Sequence, residues 1–64
     1  MRVNGKEIPV QSEVSLIEFL QGQGYDAKNV AVEKNGHIVP KQDFRAEVLS
    51  DMDKLEIVRL VGGG

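Results

Sequence analysis

The chain has 64 residues, no cysteine and a formal net charge of −2 at pH 7. This length allows one domain with a small core, and the lack of cysteine excludes disulfide bridges and iron–sulfur ligands. The acidic balance argues against nucleic acid binding, which needs a concentrated basic surface. The longest apolar run, residues 30–32, is too short for a membrane span or a signal-peptide core. We therefore expect a soluble cytoplasmic protein without a membrane or nucleic acid partner.

A β-hairpin is predicted at the beginning of the chain. Asn4-Gly5 separates two short strand-like segments, residues 2–3 and 6–10, and Asn-Gly is the strongest short hairpin signal. Because Pro9 has no amide hydrogen to donate to a ladder, the second strand should lie at a sheet edge or at a bulge.

The main helix is predicted to begin after Ser15. This residue can cap the helix, and Glu18, three residues later, completes a capping-box pattern. Gly22 or Gly24 can end the helix by adopting the left-handed conformation. The apolar residues of the segment recur at helical spacing and should form its buried face. They are Leu16, Ile17, Phe19 and Leu20.

The second half of the chain is predicted to be mostly strand. A second Asn-Gly pair at positions 35 and 36 should join the first two strands as a hairpin. Residues 41–44, after Pro40, read as a short helical turn or loop. The predicted strands are residues 30–34, 37–39, 47–49 and 55–61.

These elements predict an α+β domain with two layers. One helix can cover one face of a mixed sheet of four to five strands. The first and last strands should lie side by side and parallel, joined by a crossover that includes the helix. This is the β-grasp, or ubiquitin-like, architecture. We assign residues 1–61 to the domain and residues 62–64 to a flexible C-terminal glycine tail.

The last three residues are all glycine. Glycine has no side chain to bury and loses more backbone entropy on ordering than any other residue. One interpretation is a frayed chain end, where disorder commonly concentrates. The other is an arm, roughly 10 Å long when extended, that carries its carboxylate into the active site of another protein.

The sequence resembles the ThiS family of small sulfur carrier proteins of thiamine (thiazole) biosynthesis. The resemblance covers the whole chain and depends on the order of several short segments, on the length and on the glycine tail. The segments are residues 3–6, 14–20, 30–36, 38–40, 51–53 and 56–58.

The resemblance implies a role for the C-terminal carboxylate of Gly64. A ubiquitin-activating-like, ThiF-like adenylyltransferase would adenylate it with ATP and Mg²⁺, and a sulfur donor protein would help convert it to a thiocarboxylate. The thiocarboxylate would deliver sulfur to a ThiG-like thiazole synthase. Gly62 and Gly63 would let the tail pass a constriction that a Cβ would block. The minimal tail in this group is Gly-Gly, whereas this chain has three glycines.

The implied chemistry makes the protein a co-substrate and not an enzyme. An ionised carboxylate is a poor electrophile, and joining it to AMP makes an acyl phosphate that a sulfur nucleophile can attack. The chain's own sulfur atoms are the thioethers of Met1 and Met52, which cannot take up and release sulfur. We expect no permanently bound cofactor and no metal, because ATP and Mg²⁺ would be consumed on the partner enzyme.

Four residues are candidates for a partner interface. Glu33 and Glu56 should lie on the sheet face opposite the core and could meet a basic partner, although a solvated sheet face is the ordinary explanation. Val58 and Leu60 should point outward if Ile57 points to the helix. An exposed apolar pair beside the tail suggests docking, although scattered apolar surface residues need no explanation.

Two further residues are interpreted as structural. His37 is the only histidine, and a metal or acid–base site needs companions that the sequence does not show, so we expect it to face solvent. Arg59 should lie at the rim of the core with its stem packed and its charge in water.

The fold leaves other functions open. The small subunit of molybdopterin synthase also ends in Gly-Gly and carries a thiocarboxylate. Another ubiquitin-like sulfur carrier, a modifier attached to lysines, or a non-catalytic β-grasp binding module would have a similar sequence pattern.

Overall fold

The computed structural model describes residues 1–60. Its α-helix is α1, Leu16–Gly22, and short 3₁₀ helices form at Ala27–Asn29 and Lys41–Asp43. The strands are β1 (Arg2–Val3), β2 (Lys6–Glu7), β3 (Val14–Ser15), β4 (Val30–Lys34), β5 (His37–Ile38), β6 (Val48–Leu49) and β7 (Lys54–Arg59).

Five of the strands form one mixed sheet in the order β2-β1-β7-β4-β5. β1 and β7 are parallel neighbours, and the other pairs in this sheet are antiparallel. The helix covers one face of this sheet. The predicted α+β, β-grasp architecture is therefore confirmed, including the parallel pairing of the first and last strands.

Both Asn-Gly turns adopt the left-handed backbone that their sequence predicts. Asn4 and Gly5 have φ of 51° and 83°, and Asn35 and Gly36 have φ of 53° and 86°. The predicted strand over residues 6–10 is too long, because β2 ends at Glu7, two residues before the proline. β2 lies at the sheet edge, as predicted.

The start and end of α1 follow from local hydrogen bonds. The Ser15 hydroxyl accepts a bond of 3.0 Å from the Glu18 amide, which confirms the predicted N-cap. At the other end Gly24, with φ of +83°, takes the left-handed position, and Gly22 is the last helical residue. The Tyr25 amide donates to the Leu20 carbonyl at 2.9 Å, which completes a Schellman ending.

A small ladder beside the helix was not predicted. β3 pairs antiparallel with β6, with Val14 opposite Leu49 and Ser15 opposite Val48. The predicted strand over residues 47–49 is thus confirmed at Val48–Leu49, and its partner is the segment that leads directly into the helix. The last strand was predicted over residues 55–61; β7 runs from Lys54 to Arg59, and Val61 lies outside the described residues.

The core lies between α1 and the sheet. Leu16, Leu20, Leu49 and Leu55 have no exposed surface, and Ile17, expected to be buried, is only half-buried. No polar or charged residue is buried in the part of the chain that the structure describes. The remaining core residues are Met1, Val3, Phe19, Val30, Val32, Val39, Phe44 and Ile57.

Charged side chains hold together the end of the sheet where β7 begins, which we call the anchored pole (Met1, Lys34, Asn35, Glu47, Asp51 and Asp53). The Met1 ammonium lies 2.8 Å from an Asp51 oxygen. Lys34 Nζ donates to a Glu47 oxygen at 2.8 Å. Asp53 accepts bonds from the Asn35 side chain at 2.9 Å and from the Ser50 amide at 2.8 Å.

These contacts shift three pKa values. The hydrogen bond to Glu47 raises the pKa of Lys34, together with the charge of Asp53. The hydrogen bond from the chain's ammonium group lowers the pKa of Asp51. Burial raises the pKa of Asp53, but the hydrogen bonds from Asn35 and Ser50 and the charge of Lys34 outweigh that effect and lower it.

Candidate functional site

The structure describes the point at which the chain reaches its glycine tail. β7 lies in the sheet between β1 and β4, and beyond its end the Leu60 amide donates to the Asn29 carbonyl at 2.8 Å. Arg59, Leu60 and Asn29 form what we call the tail root. Gly62, Gly63 and Gly64, the residues to which the predicted chemistry was assigned, lie outside the described residues.

The sheet surface that faces away from the helix meets solvent beside the tail root. Its exposed residues on β4, β5 and β7, together with Leu60 directly after β7, form what we call the outer sheet face. Val58 and Leu60 are 58% and 48% exposed, while Ile57 is 6% exposed. The predicted outward orientation of Val58 and Leu60 is confirmed, and their role in binding stays a prediction. The outer sheet face comprises Ala31, Glu33, Ile38, Glu56, Val58 and Leu60.

Two glutamates meet on this face. Glu33 on β4 lies directly opposite Glu56 on β7 in the strand register, and both side chains are exposed. Like charges directly opposite each other in an antiparallel pair are destabilising. The sequence placed both residues on one face, but their direct pairing depends on the register between two distant segments. A basic group from a partner would relieve the repulsion.

Apolar residues continue the face toward the tail root. On β4 and β7, the next outward-facing pair toward the tail root is Ala31 opposite Val58. On β5, Ile38 lies opposite Glu33 and is 74% exposed. Sequence reasoning did not select Ala31 or Ile38. The signal was present in the strand alternation, but without the sheet order these residues could not be placed beside Val58.

The Asn4 side chain contacts β7 along its β1 edge, on the side away from β4. Its amide nitrogen donates to the Ile57 carbonyl at 3.1 Å, and its oxygen accepts from the Ile57 amide at 2.7 Å. β1 is only two residues long, so this amide takes the place of a further strand residue. The Asn-Gly signal predicted the turn at Asn4 but not this contact.

Arg59 lies on the helix side of the tail root. Its guanidinium carbon is 4.9 Å from the centre of the Tyr25 ring, within the range of a cation–π contact. This agrees with the predicted position at the rim. Because the Schellman ending of α1 positions Tyr25, the helix end and the tail root are in contact.

Residue types that commonly bind metals are dispersed over residues 1–60. His37 is exposed on β5, as predicted. No group of three or more histidine, cysteine, aspartate or glutamate side chains within the described range is arranged to hold a metal ion. The described helices are also too short or too polar to cross a membrane.

Comparison with known proteins identifies the family. The model of the ThiS family matches residues 1–64, the entire chain. The chain belongs to the ThiS family. The sulfur carrier protein ThiS of Bacillus subtilis is 34% identical over 65 residues, covering 100% of this chain and 98% of that protein.

A solved structure supports the same fold. The crystal structure of the thiamine biosynthesis protein ThiS from Geobacter metallireducens matches with a TM-score of 0.81 and 32% sequence identity, covering 98% of this chain and 96% of that one. The resemblance drawn from the sequence segments is therefore confirmed at the level of family and fold.

One relative is much longer than this chain. The thiazole synthase of Paramagnetospirillum magneticum is 40% identical over 62 residues, covering 97% of this chain but 19% of that protein. The chain thus spans about a fifth of the length of this relative.

Proposed function

We propose that the chain is a sulfur carrier of thiamine biosynthesis and that Gly64 carries the sulfur as a C-terminal thiocarboxylate. Membership of the ThiS family is the observation that carries this proposal. The composition supports it, because residues 62–64 have no side chains and the chain has no cysteine. The terminal carbonyl is then the plausible attachment point for transferable sulfur.

The proposed reaction has two steps on the carrier. The Gly64 carboxylate attacks the α-phosphorus of ATP on a ThiF-like adenylyltransferase, which forms the acyl adenylate and releases pyrophosphate. A sulfur nucleophile from a donor protein then attacks the carbonyl and AMP leaves. If the nucleophile is a persulfide, a thiol must reduce the resulting acyl disulfide to release the thiocarboxylate. Mg²⁺ and the catalytic groups belong to the partner, so the chain acts as a co-substrate.

The outer sheet face is the proposed docking surface for the adenylating enzyme. Val58 and Leu60 offer apolar contact next to the tail, and Glu33 and Glu56 offer paired negative charge to a basic surface. Gly62 and Gly63 would pass the narrow entrance of the active site, since neither carries a Cβ.

A ThiG-like thiazole synthase is the proposed acceptor of the sulfur. A protein named thiazole synthase contains a stretch that is 40% identical to this chain, which supports a working relationship between the two activities.

Intact mass spectrometry tests the proposal. The chain is incubated with its cognate adenylating enzyme, MgATP and a sulfur source, and the expected product differs by exchange of one oxygen for sulfur. Reactions without ATP are the control. An unchanged mass with an enzyme shown to be active would contradict the proposal.

The same experiment separates the alternatives. A modifier would form adducts with lysines of other proteins, and a binding module would show neither adducts nor sulfur. Adding thiazole synthase and its other substrates distinguishes the thiazole pathway from molybdopterin synthesis, because only a thiazole carrier should return to the carboxylate with formation of the thiazole ring.

A further inference from the structure

A groove runs along the helix side of the molecule, on the layer opposite the outer sheet face. Its volume is about 660 Å³, and it lies between α1, the segment after it and the 3₁₀ helix at Lys41–Asp43. Ile17, Tyr25 and Phe44 supply its apolar surface. Phe44 is buried, whereas Ile17 and Tyr25 are half-buried and can contact a bound group.

The polar lining of the groove is mainly cationic. Lys28, Lys41 and Arg45 line it, against a single carboxylate, Asp26. That carboxylate already accepts the Lys28 amide at 2.9 Å and the Asn29 side chain at 3.4 Å.

The cations have few anionic partners of their own. Lys41 Nζ donates to the carbonyls of Ala27 and Lys28, each at 2.9 Å, and these acceptors are neutral. Within residues 1–60, none of the three cations that line the groove forms an ion pair with a carboxylate. A locally basic groove on a chain with a net charge of −2 is complementary to an acidic partner.

The groove adjoins the tail root. Tyr25, which lines it, stacks against Arg59, and Lys28 precedes the residue whose carbonyl accepts from Leu60. A protein that holds the glycine tail can therefore reach the groove at the same time.

We propose that this groove docks an acidic segment of a partner enzyme, with an apolar side chain on Ile17 and Tyr25 and carboxylates beside Lys28 and Arg45. The proposal rests on the proposed function, since it names a surface used by one of the two enzymes that handle the tail. A small-molecule site usually contains a few buried polar groups that orient the ligand. The described chain has no buried polar residue, which favours a protein segment.

The acidic outer sheet face and the basic groove are on opposite layers of the domain. A partner that docks in the groove leaves the outer sheet face open. The two enzymes could thus recognise the carrier through surfaces of opposite charge while both reach the same tail.

Charge reversal tests the groove. Lys28→Glu and Arg45→Glu are compared with Lys6→Glu, which makes the same change of charge on edge strand β2. The double variant is compared with Lys6→Glu/Lys54→Glu, which makes the same total change of charge outside the groove. Affinity is measured for the purified adenylating enzyme and for purified thiazole synthase, across a range of salt. We expect the double variant to bind thiazole synthase about tenfold more weakly or worse, because like charges then face each other. It should bind the adenylating enzyme like the unmodified chain, because the outer sheet face is unaltered.

The control and the salt series complete the test. Lys6→Glu should bind both enzymes like the unmodified chain, and the double variant should lose the salt sensitivity of the affected complex. Unchanged thermal stability of the double variant shows that it is folded. If it binds both enzymes as tightly as the unmodified chain, or if Lys6→Glu loses as much affinity, the groove is not a docking site.

Two other outcomes are informative. Binding of ATP alone to the groove, seen as shifts of Lys28 and Arg45 amide signals, would overturn the proposal in favour of a small-anion site. If the unmodified chain gains no sulfur and binds neither enzyme, the proposed function itself fails and the groove proposal falls with it. If the unmodified chain gains sulfur and the double variant binds both enzymes as tightly as the unmodified chain, the groove proposal alone fails.

Discussion

The two ends of β7 are held in different ways. At the anchored pole, the Lys54 amide donates to the Asn35 side chain at 2.9 Å, and that side chain in turn contacts Asp53. At the tail root, the Leu60 amide contacts Asn29 and the Arg59 guanidinium stacks on Tyr25. The first end is linked by a network of charged side chains, while the second offers the exposed apolar side chains of Val58 and Leu60 beside a basic groove.

This difference separates stability from recognition along one strand. The anchored pole joins the N-terminus, the β4–β5 hairpin and the turn before β7 by hydrogen bonds and ion pairs. The tail root carries the exposed residues Arg59 and Leu60, which contribute little to the core. A change at the anchored pole should therefore leave sulfur loading intact, and a change at the tail root should leave the free energy of unfolding intact.

Removal of Gly63 and Gly64 should have the largest effect. Sulfur loading should be lost, because the proposed reactive carbonyl is displaced by two residues from the partner's active site. The free energy of unfolding should not change, since glycine has no side chain to bury and Ile57 is the last core residue within the described range. Mass spectrometry and urea unfolding measure the two properties; a marked loss of stability would give the tail a structural role.

Asp53→Ala, at the anchored pole, should lower stability and leave sulfur loading unchanged. It removes acceptors for the Asn35 side chain and the Ser50 amide and a carboxylate 3.7 Å from Lys34 Nζ. The expected loss is about 1 kcal/mol of unfolding free energy, since the partly buried Ser50 amide loses its acceptor while the exposed Asn35 side chain is hydrated by water. Sulfur loading at a temperature where the variant is folded should be unchanged. A variant as stable as the parent would show that the network contributes nothing.

The pH dependence of stability provides a check on the same network. Asp51 and Asp53 have lowered pKa values in the folded state. Between the lowered pKa values of the folded state and the ordinary values of the unfolded state, the unfolded chain therefore binds more protons than the folded chain. Stability should fall as the pH drops through the folded pKa values. Lys34 has a raised pKa, so its contribution should disappear only as the pH rises through that value. Asp53→Ala should lose less stability in acid than the parent does.

Glu56→Gln should have the smallest effect on stability and should sharpen the role of the outer sheet face. Removing one of the two facing charges should raise the unfolding free energy by up to about 0.5 kcal/mol. If a basic surface of the adenylating enzyme docks there, affinity for that enzyme should fall. Glu13→Gln, which changes the net charge equally at an exposed position away from this face, is the matched control. Equal affinities for both variants would contradict a specific contact.

Local sequence determined most of the secondary structure. Asn4-Gly5 and Asn35-Gly36 predicted both hairpins, because these residues tolerate the left-handed backbone that tight turns require. Ser15 predicted the helix start through a contact only three residues away. Helical spacing correctly placed Leu16, Phe19 and Leu20 in the core. The boundaries were less accurate, as the ends of β2, β5 and β7 show.

The order of short segments and the glycine tail indicate the ThiS family without any information on tertiary contacts. The role of Gly64 stays a prediction, because residues 61–64 lie outside the described range. The exposure of Val58 and Leu60 was predicted from strand alternation, and their proposed role in docking still requires the binding measurements.

Sequence by itself determined the turns, the helix cap, the core-facing positions and the family, because these depend on neighbouring residues or on an ordered set of local patterns. Only the tertiary structure decided that Glu33 faces Glu56, that Asn4 supports Ile57 and that Ile17 and Lys41 line one groove. Each of these joins segments far apart in the chain. Their register and packing depend on how the sheet and helix fit together, which no local preference specifies.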